Sequence, residues 1–143
     1  MPGISYNLVR TTKAESDLKE IRDYTIKTHG PEAAKAYNAL LRQAFKDIRD
    51  DPFRLGSRER PEIGANVRSF HISLSKIRAE SDIKSPRHFI LYFLPKENEI
   101  VVSRVLHDSR DLARHVPRED VDRAQDFKDK RRKSTAKRKG RER

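Results

Sequence analysis

Hydrophobic and polar residues alternate along this chain in two rhythms. From Ile4 to Val9 the period is two, with Ile4, Tyr6 and Leu8 on one face and Ser5, Asn7 and Val9 on the other. That pattern predicts a short strand with one apolar face. Thr12-Lys13-Ala14-Glu15 then has the form of a capping box, which predicts a helix start. Ala14, Leu18, Ile21 and Thr25 follow at spacings of four, three and four, with Tyr24 beside them, as one face of a helix requires. Gly30 suits the helix C-terminus and Pro31 the first turn of the next helix. Ala34, Tyr37, Leu41, Ala44 and Ile48 continue the helical period, flanked by Ala33, Leu40 and Phe45, until Asp51-Pro52 interrupts it. Two amphipathic helices joined by His29-Gly30-Pro31 predict a helical hairpin.

The period of two then returns. Val67 to Leu74 predicts a strand with Phe70, Ile72 and Leu74 on one face and Arg68 sharing that face at its start. His88 to Leu94 and Glu99 to Leu106 are nearly continuous runs of aromatic and β-branched residues. They predict two strands covered on much of both faces or central in the sheet. The polar linker Pro95-Lys96-Glu97-Asn98 makes them a hairpin. Phe53 to Asn66, with Arg54, Arg58, Arg60, Pro61 and two glycines, reads as a loop. Together with Arg68 it is either a solvated surface or one that faces acids or phosphates. Ser75 to Arg87 breaks the pattern with charges and Ser85-Pro86, and is expected to be an extended, mobile hairpin connection. Pro117-Arg118-Glu119-Asp120 resembles a first helical turn, and Val121, Ala124 and Phe127 add a weak apolar stripe. The order is strand, helix, helix, strand, strand, strand, then a C-terminal helix or tail. The expected class is α+β: an antiparallel sheet packed by an N-terminal helical hairpin.

Charge changes this picture at one end. The chain of 143 residues carries a net +11. Residues 128–143 hold ten Lys or Arg against two acids, a net +8, so the first 127 residues carry only +3 (11 − 8). A balanced body at 1–116, with an insert at 73–87, is therefore expected to precede a basic helix and disordered tail at 117–143. Lys130, Arg131, Arg132, Lys133, Lys137, Arg138 and Lys139 are candidates for non-specific, salt-dependent contact with nucleic acid. The tail has no aromatic residue for base stacking; its alternative role is solubility.

The chemistry-bearing residues are few. There is no cysteine, so disulfides, thiolate metal sites and thiol nucleophiles are excluded. His29, His71, His88, His107 and His115 lack metal-ligand spacing, and the five glycines are scattered; neither metal nor cofactor is expected. Phe89 to Leu94 is the longest apolar run, too short to cross a bilayer. No N-terminal segment resembles a signal peptide, and the expectation is a soluble, cytoplasmic protein without membrane association. The candidate site residues are Arg68, Arg104, His107 and Arg110. Arg104 has a structural alternative, pairing with Asp108 or Asp111, and Arg110-Asp111 suits a bridge or cap. Metal-free RNA cleavage would require an acid, a base and cations around a phosphorane-like transition state. His107 can move protons near neutral pH; arginine can stabilise phosphate but is a poor base.

Four stretches also resemble a known family. TKAESDLKEIRDY at 12–24 is similar to its first helix, and 31–48 to its second. RPEIGANVRSFHI at 60–72 and FILYFLPKENEIVVSRVLHDSRDL at 89–112 resemble its central strand and terminal hairpin. The Arg-Val-Leu-His-x-x-Arg-Asp motif at 104–111 is the most specific. Together they identify the ParE branch of the ParE/RelE toxin superfamily. The resemblance implies a type II toxin that inhibits a bacterial topoisomerase, DNA gyrase or another, by direct binding, with Arg68, Arg104, His107 and Arg110 as target-binding candidates. It implies neutralisation by a cognate antitoxin that is acidic or carries an amphipathic helix. The RelE branch offers an alternative, a ribosome-dependent mRNA endoribonuclease using Arg68, Arg104 and His107 without a metal. A third reading is an inactive relative that binds nucleic acid through its tail. Two departures stand out: the insert replaces a compact turn, and the basic tail exceeds the family pattern.

Overall fold

The computed structural model describes residues 5–127. Strand β1 (Asn7–Arg10) leads into helix α1 (Thr12–His29), helix α2 (Pro31–Asp50), strands β2 (Arg58–Glu59) and β3 (Arg68–His71), a 3-10 turn (Ile72–Ser75), helix α3 (Lys76–Ala79), strands β4 (His88–Lys96) and β5 (Glu99–His107), and helix α4 (Leu112–His115). Residues 118–127 are also helical. The α+β class and the helical hairpin are as expected. The five strands lie in the order β1-β5-β4-β3-β2. Consecutive strands from β2 to β5 pair antiparallel, but β1 pairs parallel to β5. The sheet is thus mixed rather than purely antiparallel, because β1 reaches the far edge by way of both helices and arrives in the same direction as β5.

The α1 cap falls one residue before the expected box. Thr11 Oγ1 accepts the Ala14 amide at 3.1 Å, while Glu15 turns outward to Arg10 at 3.0 Å. Gly30 closes α1 and opens α2 at φ +92°, in the region that favours glycine, with Pro31 at the start of α2 as expected. The hairpin packs on one sheet face. Leu40, Leu41, Ala44 and Ile48 of α2 meet Phe70, Ile90, Tyr92 and Val102 in the main core. The other sheet face is covered by the C-terminal segment: Ala124 packs against Val67, Phe93 and Val101, and Val116 against Leu91 and Leu106. Cover on both sides explains the unbroken apolar runs of β4 and β5.

Three expectations are corrected. The strand foreseen to Leu74 stops at His71, because His71 Nδ1 accepts the Ser73 amide and turns the chain into the 3-10 segment. The connection at 75–87 is folded rather than extended. Ser75 Oγ donates to buried Asp47 at 2.6 Å and Arg78 Nη1 reaches the same carboxylate at 3.4 Å, while Ile83 packs against the main core. The β4–β5 turn is tighter than Pro95–Asn98, since β4 continues to Lys96 and only 97–98 turn. Pro95 is accommodated in the register irregularity between Phe93 and Lys96.

Candidate functional site

β1 covers only the first half of β5, pairing with Glu99 to Val102. Beyond it the backbone of β5 would be an open edge, and a buried open edge needs partners. Thr11 and Asp17 supply them. Thr11 Oγ1 donates to the Ser103 carbonyl at 2.8 Å, and Asp17 Oδ2 accepts the Val105 amide at 3.0 Å. The same carboxylate receives Arg104 in a bidentate pair, Nε to Oδ2 and Nη2 to Oδ1, both 2.7 Å. Arg104 Nη1 also donates to the His115 carbonyl at 2.7 Å. Arg104 therefore pairs with Asp17, neither with Asp108 nor with Asp111. The hydrogen bond to Asp17 raises the guanidinium further above its usual value. Asp111 instead faces Arg114 at 3.6 Å, so Arg110-Asp111 forms no bridge among the described residues. Arg110 is exposed.

Above this edge, α1, α2, the last part of the insert and the end of β5 enclose an open groove of about 980 Å³. Ile21, Tyr24, Ala33, Val105 and Leu106 contribute apolar surface to its lining. Tyr24, expected beside the core stripe, is exposed here. Arg104, His107 and Arg110, three of the four predicted residues, line it together with Arg87. Arg68 does not. It lies opposite Tyr92 on β3, whereas His107 lies opposite His88 on β4. Four residues of β4 separate those positions, roughly 13 Å along the strand. Arg68 Nε donates to Ser57 Oγ at 2.9 Å and its guanidinium sits over Phe53.

A hydrogen-bonded histidine cluster, only partly foreseen, closes one end of the groove. Tyr37 accepts the Arg87 amide at 3.1 Å and bonds His88 Nδ1 at 2.6 Å. An amide can only donate, so the Tyr37 hydroxyl proton goes to His88, whose Nδ1 is then an acceptor. Burial, and next the charge of His107, push His88 down to about 4. Burial also raises Tyr37 above the usual phenol value, keeping it a donor at neutral pH. The His88 and His107 rings meet edge-on at 5.4 Å. His107 Nδ1 accepts the Ser109 amide at 3.1 Å. His71 Nε2 donates to Asp108 Oδ2 at 3.0 Å and Arg87 Nε to Oδ1 at 2.8 Å. Partial desolvation of Asp108 is outweighed by these two donors, and its pKa is lowered. Tyr92, by contrast, is core, and its hydroxyl donates to the Pro52 carbonyl. Among the described residues no group of three His, Cys, Asp or Glu could hold a metal ion, and no helix is long and apolar enough to cross a membrane.

The residues of this groove and of the strands beneath it lie within a stretch that matches a family model. The model is that of the ParE toxin of the type II toxin–antitoxin system parDE, and it matches residues 8–112. The chain belongs to the ParE toxin family. Among solved structures, a chain of the chromosomal ParDE toxin–antitoxin system from P. aeruginosa is similar at 23% identity and a TM-score of 0.52. The match covers 72% of the present chain and 96% of the P. aeruginosa chain. That likeness shows a shared fold. No curated protein sequence matches. Within this ParE-family fold, Asp17, Tyr37, His71 and His88 were missed as site residues. Asp17 had left a signal: it is an acid at the third position after Ala14 and the fourth before Ile21, on the apolar stripe of α1. The tail candidates from Lys130 to Lys139 lie outside the described residues.

Proposed function

We propose that the chain is a toxin that inhibits DNA gyrase by direct binding, and that a cognate antitoxin neutralises it from the groove. The observation that carries this reading is the ParE match over residues 8–112, which spans every element that builds the groove. An apolar floor with Arg87, His107 and Arg110 at its mouth suits an amphipathic antitoxin segment with acids along one side. The family membership supports a binding function rather than a catalysed reaction. Weighing against the endoribonuclease alternative, Arg68 lies away from His107, and Arg104 is held by Asp17 and the His115 carbonyl. Retention in the cytoplasm, where gyrase works, belongs to the same proposal.

The test is a supercoiling assay with purified gyrase across a salt series. Inhibition that persists at moderate salt is expected from a specific protein contact. Loss of inhibition with salt, or RNA cleavage on ribosomes that disappears in His107→Ala, would replace this reading.

A further inference from the structure

Thr11 and Asp17 satisfy only part of the edge of β5 that β1 leaves bare. The ladder on the other side of β5 shows which backbone groups point to that edge. The Asp108 amide donates to the Arg87 carbonyl at 2.8 Å. His107 and His88, the pair just inside that bond, therefore exchange no hydrogen bond with each other, and the amide and carbonyl of His107 point away from β4. Two residues earlier, Val105 opposite Ile90 repeats the geometry, and its amide does point away, to Asp17 Oδ2 at 3.0 Å. Of these outward groups, the Val105 amide is taken by Asp17 and the His107 carbonyl by the Arg110 amide at 3.0 Å. The Val105 carbonyl and the His107 amide have no hydrogen-bond partner among the described residues. Val105, Leu106 and His107 line the groove, so this acceptor and this donor stand at its floor.

We infer that the groove reads the main chain of an extended peptide, one residue of which bridges Leu106 in a strand parallel to β5. That residue donates its amide to the Val105 carbonyl and accepts the His107 amide through its own carbonyl. The inference rests on the toxin reading above, and the occupant is a segment of the antitoxin. The two free groups fix its direction. A hydrogen-bonded residue of an antiparallel strand uses both the amide and the carbonyl of the residue opposite, and at Val105 and at His107 one of the two is already taken. A residue of a parallel strand uses the carbonyl of one residue and the amide two further on, which is the pair left open. β1 already lies parallel to β5 on this edge, in register from Asn7 with Glu99 to Arg10 with Val102, so the segment continues its line beyond the Asp17 contact. A helix spends its amides and carbonyls internally except at its ends, and would leave this pair unmet. Alternation then sets the side chains. Val105 faces the helical hairpin and Leu106 the opposite sheet face. The residue over Leu106 points with it, away from the hairpin, and the residues on either side point toward Ile21, Tyr24 and Ala33, where apolar side chains fit. The choice rests on hydrogen bonding rather than on net charge, since Arg87, Arg104 and Arg110 in the lining are matched by Asp17, Glu20 and Asp82.

The experiment is amide hydrogen exchange followed by NMR on the full chain, alone and in complex with the product of the reading frame beside its gene. Growth arrest by the chain, and its relief by that product, are scored separately. In the free chain the His107 amide is expected to exchange fast, while the Asp108 amide, bonded within the sheet, is protected. In the complex the His107 amide is expected to slow by about 100-fold or more. It is also expected to show a through-hydrogen-bond coupling to a carbonyl carbon of the partner, in a residue with the chemical shifts of a strand. A complex that relieves growth arrest while the His107 amide exchanges as in the free chain, or in which the segment over Leu106 is helical, would overturn the inference and leave the toxin reading standing. Growth arrest without a complex would overturn this occupant; neither growth arrest nor a complex would overturn the toxin reading as well. Protection of His107 in the chain alone that grows with concentration would overturn the inference in favour of a second copy. Protection independent of concentration would mean that the chain fills this edge itself, and would overturn it too.

Discussion

At the residue scale, His88 makes the clearest demand on conditions. It is half-buried, accepts a hydrogen bond from the Tyr37 hydroxyl and has an edge-on histidine neighbour. Its folded-state pKa of about 4 lies below the ordinary 6.5. Above pH 6.5 His88 is neutral in both folded and unfolded chains and costs nothing. Between 6.5 and about 4 the unfolded chain binds a proton that the folded chain refuses, so stability falls with falling pH across that window. By pH 4 the loss approaches about 3 kcal/mol. Urea unfolding midpoints measured from pH 7 to 4 should trace this fall. His88→Gln, which can still accept from Tyr37, should flatten it, and an equally steep fall in that variant would assign the effect elsewhere. The neighbouring Asp108 acts in a lower window: its pKa is depressed, so its contribution holds above the ordinary carboxylate value and is lost as it protonates below.

At the scale of elements, the decisive contact is between α1 and the uncovered half of β5. Asp17 there accepts one backbone amide and a bidentate guanidinium. Removing one member of a buried pair strands the other. Arg104→Ala should therefore destabilise the fold by about 3 kcal/mol, and Asp17→Ala by at least as much because the Val105 amide is stranded too. Thermal denaturation of both single variants and the double would check this. The double should cost less than the sum, and full additivity would deny the pairing. Arg104 was thus legible in the sequence as a special position, but its partner lies 87 residues away, beyond the reach of local spacing. The helices, the central hairpin and the α+β class were legible because their periodicities were long and unbroken. The 3-10 turn and α3 were not. Ser75 and Arg78 read as loop polarity until the fold brings Asp47 beneath them. The direction of β1 was also hidden, since a period of two is the same for parallel and antiparallel pairing.

For the whole molecule, the question is where the folded body ends and the basic appendage begins. Charge places the break at Lys128, since residues 128–143 hold +8 of the net +11. Packing extends the body to the same point. Ala124 is fully buried against the second sheet face, and Asp120 accepts Ser103 Oγ at 2.7 Å. Three chain lengths separate packing from electrostatics. A chain of residues 1–127 should keep the thermal midpoint of the full chain and, under the proposed function, its gyrase inhibition, because every described contact of the core and its cover is kept. Its affinity for random duplex DNA should fall sharply, and the slope of log affinity against log salt should flatten, as expected when up to ten cations stop displacing counterions. A chain of residues 1–116 should behave differently. It exposes Val67, Phe93 and Val101 and strands the Ser103 hydroxyl, and its midpoint should fall by about 5–10 °C. Equal midpoints for the two truncations would mean that residues 117–127 contribute no cover in solution. Strong, salt-sensitive DNA binding by residues 1–127 would move the nucleic-acid surface from the tail to the arginines of the body.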